Sequence, residues 1–143
     1  MTPAALARAV ADRMWDDDRA SRDLGMRVDD VAPGHARLSM IVAEHMVNGL
    51  GICHGGFIFS LADSAMAFAA NSHGEHAVAQ HAAISYLRPA RLHQTLRAEA
   101  VERARAKRSA MYDVRVTDPD GEVVAEFRGH TRGLGSRFFP TEA

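Results

Sequence analysis

The chain has 143 residues, a formal net charge of -1 and a single cysteine. That length predicts one domain over residues 1–143, with a real core but no room for two. Balanced charge excludes the electrostatic footprint of a nucleic-acid or anionic-membrane binder, and one cysteine excludes an internal disulfide and fits a reducing compartment.

Thr2-Pro3 is a helix start, a hydroxyl cap followed by proline at the first helical position. Leu6, Val10 and Met14 then recur every four residues and predict an amphipathic helix of roughly twelve residues against the outside of the fold. Asp16-Asp17-Asp18 reads as its solvated end, and no spaced histidine or carboxylate follows to make it a metal site. With these aspartates and no apolar signal core at the N-terminus, the expected location is cytoplasmic. From about Leu24 the period changes to two. Ala36, Leu38, Met40 and Val42 alternate with His35, Arg37, Ser39 and Ile41 after the turn Pro33-Gly34, predicting a hairpin of strands over about 24–31 and 35–43.

A polar, glycine-rich loop (44–56) follows and runs into an almost wholly apolar stretch from Phe57 to Ala70. A helix apolar on all sides belongs in a core, and at about fourteen residues it is too short to span a membrane. Asn71-Ser72-His73-Gly74 ends it. Strands are then predicted over 78–87, 95–103 and 109–117, with a last one from Val123 toward Thr131 after the turn Asp118-Pro119-Asp120-Gly121. Consecutive strands on short turns imply an antiparallel sheet. About six strands curled round one apolar helix, the hotdog architecture in the α+β class, satisfies these patterns together.

Asp63 is the only ionisable group in the buried run, and a carboxylate there is costly unless paired, hydrated or used. One reading puts it on a wetter stripe with Ser60 and Ser64, capped by a local hydroxyl. The other starts from the loop, where Asn48, His54, Gly55 and Gly56 gather donors beside a helix start whose first amides are bare. Gly55 and Asp63 are eight residues apart, roughly 12 Å along a helix. A reacting carbonyl about 3 Å from each cannot be served by both in one subunit. If both groups act together, two such helices must pack antiparallel across a two-fold axis, and the site is shared by a dimer.

The run His54-Gly55-Gly56-Phe57-Ile58-Phe59-Ser60-Leu61-Ala62-Asp63-Ser64-Ala65, with Asn71-Ser72 and then Tyr86-Leu87-Arg88-Pro89-Ala90, resembles the PaaI family of hotdog acyl-CoA thioesterases of bacterial phenylacetate degradation. The resemblance extends from about Leu24 to Arg132. It implies hydrolysis of acyl-CoA thioesters, aryl-acetyl (phenylacetyl or hydroxyphenylacetyl) CoA among them, by dimers that pair into homotetramers, with no metal and no cofactor beyond the coenzyme A of the substrate. It also implies the roles: Asp63 as nucleophile or general base for water, the Gly55 and Gly56 helix start as the polariser of the thioester carbonyl, and Asn48 and His54 as loop residues placing thioester and water. Ser64 stands where the family often has Thr, which keeps the hydroxyl, and Met66 stands where it often has an aromatic residue, a change at the acyl pocket.

Other readings compete locally. Cys53 beside His54 suggests a Cys–His nucleophile, but adjacent residues in an extended loop point opposite ways. His73, His76 and His81 match no zinc spacing. Arg103, Arg105, Lys107 and Arg108 gather at a hairpin tip, with Arg88 and Arg91 on an earlier loop. They form either a solvated charged turn or a surface for coenzyme A phosphates, with Arg88, Lys107 and Arg108 the residues assigned. Two rival functions on the same fold are a hydratase or dehydratase, which needs a placed acid–base pair this helix lacks, and a non-catalytic acyl-CoA binder, which leaves Asp63 unexplained.

Overall fold

The computed structural model describes residues 1–140, so the last three residues of the predicted domain lie outside the description. Helix α1 (Pro3–Asp17) starts as the sequence predicts, the Thr2 hydroxyl accepting from the Ala5 amide at 3.1 Å. Val10 is fully buried, whereas Leu6 and Met14 are half-buried. A short helix α2 (Arg19–Asp23), too brief to show a period, follows. Asp18 is therefore more than a solvated helix end. Its carboxylate accepts from the Ser21 amide at 3.0 Å and from the Ser21 hydroxyl at 2.7 Å, and so caps α2.

Strands β1 (Arg27–Ala32) and β2 (His35–Ile41) form the predicted hairpin, turning at Gly34 with φ +71°. After a one-turn 3-10 helix (Glu44–Met46) and a loop, α3 (Gly55–Asn71) crosses the molecule. Asn71 closes it from inside, donating to the Ala67 and Ala77 carbonyls at 2.8 and 3.1 Å and accepting from the Ala77 amide at 2.9 Å. Gly74, at φ +94°, then reverses the chain. Strands β3 (Glu75–Tyr86), β4 (Thr95–Ala106), β5 (Ser109–Thr117) and β6 (Val123–Arg137) complete one antiparallel sheet in the order β1-β2-β4-β5-β6-β3. Strand β3 starts three residues earlier than predicted, and β6 runs past Thr131 to Arg137. The alternating residues of β2, β4 and β5 face α3: Ala36, Leu38, Met40, Leu96, Ala98, Ala100, Tyr112, Val114 and Val116 are all buried.

This is the hotdog arrangement, with one correction. The apolar stretch predicts a helix enclosed on all sides, but the sheet covers α3 on one side only. Leu61, Ala62, Ala65, Phe68 and Ala69 are buried against it, while Gly56 is exposed and Phe59, Ser60, Asp63 and Ala67 are half-exposed along a stripe at helical spacing. A single curved sheet has only one concave face, so this stripe of the helix stays open in the single chain.

Candidate active site

The loop before α3 is held by its own backbone and by the segment after β3. The Asn48 amide donates to the Ile52 carbonyl at 2.9 Å, and its side-chain oxygen accepts from the Leu50 and Ile52 amides at 2.9 and 3.1 Å. The Cys53 amide donates to the Ala90 carbonyl, and the His54 amide to the Met46 carbonyl, each at 2.8 Å. These bonds deliver His54 to the cap position of α3 in extended backbone, with no side-chain capping bond. The Phe57 amide reaches the His54 carbonyl at 3.1 Å, but among the described residues the amides of Gly55 and Gly56 have no acceptor. They are the bare donors that the sequence predicts.

Tyr86, at the end of β3, stands against this helix start. Its hydroxyl donates to the Gly55 carbonyl at 2.8 Å, and a Cβ on residue 55 would lie 2.7 Å from the ring. A side chain at 55 would require the Tyr86 ring to move aside. Around a Cβ on Gly56 there is nothing within 4 Å. Two adjacent glycines thus differ in kind: one makes room for a tyrosine of its own chain, the other leaves open surface. Burial and the nearby Cys53 push the Tyr86 phenol up, so it stays protonated as a donor.

Asp63 lies two turns further along. Burial raises its carboxyl above the ordinary 3.8. None of the hydrogen bonds or ion pairs among the described residues involves it, and no fully buried polar side-chain atom lacks a partner, so its carboxylate opens to the surface. The hydroxyl-capped alternative therefore fails. Ser60 donates to the Gly56 carbonyl at 2.9 Å, and Ser64 is 2.8 Å from the Ser21 hydroxyl, which is bonded to Asp18. Asp63 and the two glycines lie on the same uncovered stripe, separated by roughly 12 Å of helix. One chain brings the acid and the amides to one face but not to one point.

The remaining residues divide clearly. His54 and Asn48 are exposed at the loop, near the helix start rather than near Asp63. Met66 is buried against Gly129 of β6, inside its own chain. The Cys53 thiol is buried, donates to the His54 backbone carbonyl at 3.4 Å and is pushed up to about 11 by burial, the reverse of an activated nucleophile. His73 pairs with Glu102 at 2.9 Å and His76 with Ser136 at 2.9 Å, while the His81 ring packs on His130. No group of three metal-ligating side chains occurs among the described residues.

Of the three residues assigned to coenzyme A, Arg88 pairs with Glu122 at 3.3 Å near the start of α3, while Lys107 and Arg108 form the turn between β4 and β5 at the other end of the sheet. Eight residue steps of β5 lie between, roughly 26 Å. In one chain they cannot grip the same phosphate. Sequence reasoning overlooked Tyr86 as a wall of the helix start and the Asp18–Ser21–Ser64 brace. The bulky residue of β3 that must meet a glycine was the available signal for the first, and nothing in the spacing marked the second.

Comparison with known proteins gives the family of the chain. A family model described as Thioesterase superfamily matches residues 50–125. The chain is 38% identical over 125 residues to acyl-coenzyme A thioesterase PaaI of Escherichia coli (strain K12), across 87% of this chain and 89% of that protein. The solved structure of the E. coli PaaI protein from the phenylacetic acid degradation operon aligns with a TM-score of 0.93 at 36% identity, covering 95% of this chain and 99% of that one. A Streptococcus mutans UA159 protein solved bound to acetyl CoA aligns with a TM-score of 0.75 at 27% identity, covering 78% and 90%.

Proposed function

Because this chain belongs to the thioesterase superfamily and is of the PaaI type within it, we propose that it hydrolyses acyl-CoA thioesters at a site shared by two copies. The observation that carries the reading is the unpartnered Asp63 on the same open stripe as the bare Gly55 and Gly56 amides, too far from them to act alone. An antiparallel partner whose two-fold axis passes near Phe59, midway between residues 55 and 63, brings each carboxylate to the other copy's helix start. The amides then stabilise the oxyanion as the carbonyl is attacked. Asp63 either attacks the carbonyl carbon or takes a proton from water that does. The C–S bond breaks and the coenzyme A thiolate leaves and is protonated. On the direct route water then hydrolyses the acyl–Asp63 anhydride, and on either route the acyl group departs as a carboxylate with the carboxyl of Asp63 restored. The partner helix's positive end also favours the ionised form of Asp63, which its own burial opposes.

His54 and Asn48 position thioester and water from the loop, and no metal or further cofactor takes part. Residues 1–143 act as one unit in the cytoplasm; among the described residues no helix is long and apolar enough to cross a membrane. Dimers pair into tetramers, so Arg88 of one copy and Lys107 and Arg108 of another can approach the same coenzyme A. That the E. coli relative comes from the phenylacetic acid degradation operon supports aryl-acetyl groups as the acyl class. The test is thiol release from phenylacetyl, hydroxyphenylacetyl, benzoyl and straight-chain CoA thioesters. The aryl-acetyl esters should turn over fastest, and Asp63→Asn should lower turnover on all of them by about 10²–10⁴-fold. Undiminished turnover in that variant contradicts the assignment.

A further inference from the structure

The outer face of the sheet, away from α3, carries its charges in register. One row reads Asp30, Arg37, Glu99, Arg115, Glu126 across β1, β2, β4, β5 and β6, alternating in sign at every strand. Arg37 is bonded to Asp30 at 3.1 Å and Arg115 to Glu126 at 2.7 Å. The neighbouring row breaks the rule. It reads Arg27, Ser39, Arg97, Thr117 across β1, β2, β4 and β5, two cations and two hydroxyls with no carboxylate. Among the described residues neither Arg27 nor Arg97 joins an ion pair.

Ser39 lies between them. It points outward, yet it is only 7% exposed. Its hydroxyl has no hydrogen-bond partner among the described residues, and since no fully buried polar side-chain atom is left without one, that hydroxyl opens outward. What it opens into is a groove of about 610 Å³ lined by Arg27, Ser39, Thr95, Arg97 and Thr117. Two carboxylates also border the groove, Asp29 and Glu99, the latter held by His35 at 2.8 Å. Neighbouring strands are about 4.8 Å apart, so the two arginine backbones stand about 10 Å apart with the serine midway. Both arginine side chains line the groove on either side of the hydroxyl, and an arginine side chain is long enough to span half of that gap. Two forked cations and a hydroxyl donor suit a tetrahedral oxyanion, and the volume admits more than the ion alone.

We propose that this row binds a phosphoryl group, free or carried on a small nucleotide. The groove lies toward the β1 edge of the sheet, on the face opposite α3 and its glycine-capped start, so it is a second site. The test reads binding rather than turnover and stands apart from the hydrolytic assignment. Calorimetric titration of the full chain with inorganic phosphate, and separately with ADP, is compared with chloride at equal ionic strength. Saturable binding of phosphate or ADP is expected, weakened at least about tenfold in Arg97→Gln and in Arg27→Gln and less in Ser39→Ala, with Arg19→Gln, exposed on helix α2, as the unaffected control. Circular dichroism confirms that each variant is folded, and Arg27, at the start of its strand, serves where Arg97→Gln is not. Tighter binding of ADP than of phosphate identifies a nucleotide as the carrier, and equal binding identifies the free ion. No saturable binding, or binding that survives both arginine changes, overturns the proposal.

Discussion

The surroundings of Asp63 within its own chain disfavour its charged form. Burial raises its carboxyl above 3.8, and no group of the same chain offsets this. The folded chain therefore holds the proton more tightly than the unfolded one, and stability falls as pH rises through the window between 3.8 and the raised value. Asp63→Asn removes that penalty. Its melting temperature should exceed wild type at neutral pH, with the gap closing as pH falls toward about 4, while turnover drops on the order of 10²–10⁴-fold. Scanning calorimetry across pH and a thiol-release assay read the two effects. A variant both less stable and fully active would reverse the account. Asp113 is the opposite case. Hydrogen bonds from Arg128 and Arg103 hold its carboxyl down at about 2, so what it adds to stability is present above the usual carboxylate range and is lost only as pH falls through about 2. Both partner arginines are more than half exposed, so water screens the pairs, and Asp113→Asn should change neutral-pH stability only slightly.

Helix α3 has two faces with opposite tolerances. Leu61 is fully buried against the sheet, and Leu61→Ala should cost about 2–5 kcal/mol in chemical denaturation. Gly56, with open space around it, should accept alanine with an unchanged melting temperature and still lose turnover, because the added methyl stands where a substrate or partner must approach. Gly55→Ala should instead lower stability by forcing Tyr86 aside. Equal melting temperatures for the two glycine variants would contradict this distinction. The same helix shows what was legible in the sequence. Its apolar run, its glycine start and its Asn71–Gly74 stop set its ends, and the period-two runs of β2, β4 and β5 were plain because those strands bury one face and wet the other. Strand β6 was less so, since Gly129, Gly133 and Gly135 dilute the alternation beyond Phe127. What apolar composition cannot say is whether a helix is covered by its own sheet or by another copy's surface. The extent of the half-open stripe is therefore visible only in the fold; the gap of roughly 12 Å and the polar Ser60, Asp63 and Ser64 were the sequence clues to it.

At the scale of the molecule, two unfinished surfaces lie side by side. Strand β3 is a twelve-residue edge of the sheet with Val78 and Tyr86 each 49% exposed, and the open stripe of α3 runs near it. A long edge without charge protection is a pairing surface. The proposed second copy, related by a two-fold axis near Phe59, would meet both features at once, and the proposed pairing of dimers would bring Arg88 toward a Lys107–Arg108 turn. Specific activity should accordingly fall on dilution in step with dissociation measured by light scattering. Activity that persists per subunit in a monomer would contradict it.

Subunit mixing tests the shared site most directly. Asp63→Asn and Gly56→Val are each expected to be inactive, and in a mixed dimer one of the two sites is built from the intact acid of one copy and the intact helix start of the other. Equal amounts, unfolded and refolded together with heterodimers verified by native mass spectrometry, should recover about a quarter of wild-type turnover, since half the dimers are mixed and half their sites are intact. Verified heterodimers with no recovered turnover would show that each copy must supply its own acid and its own amides, and the account would be wrong.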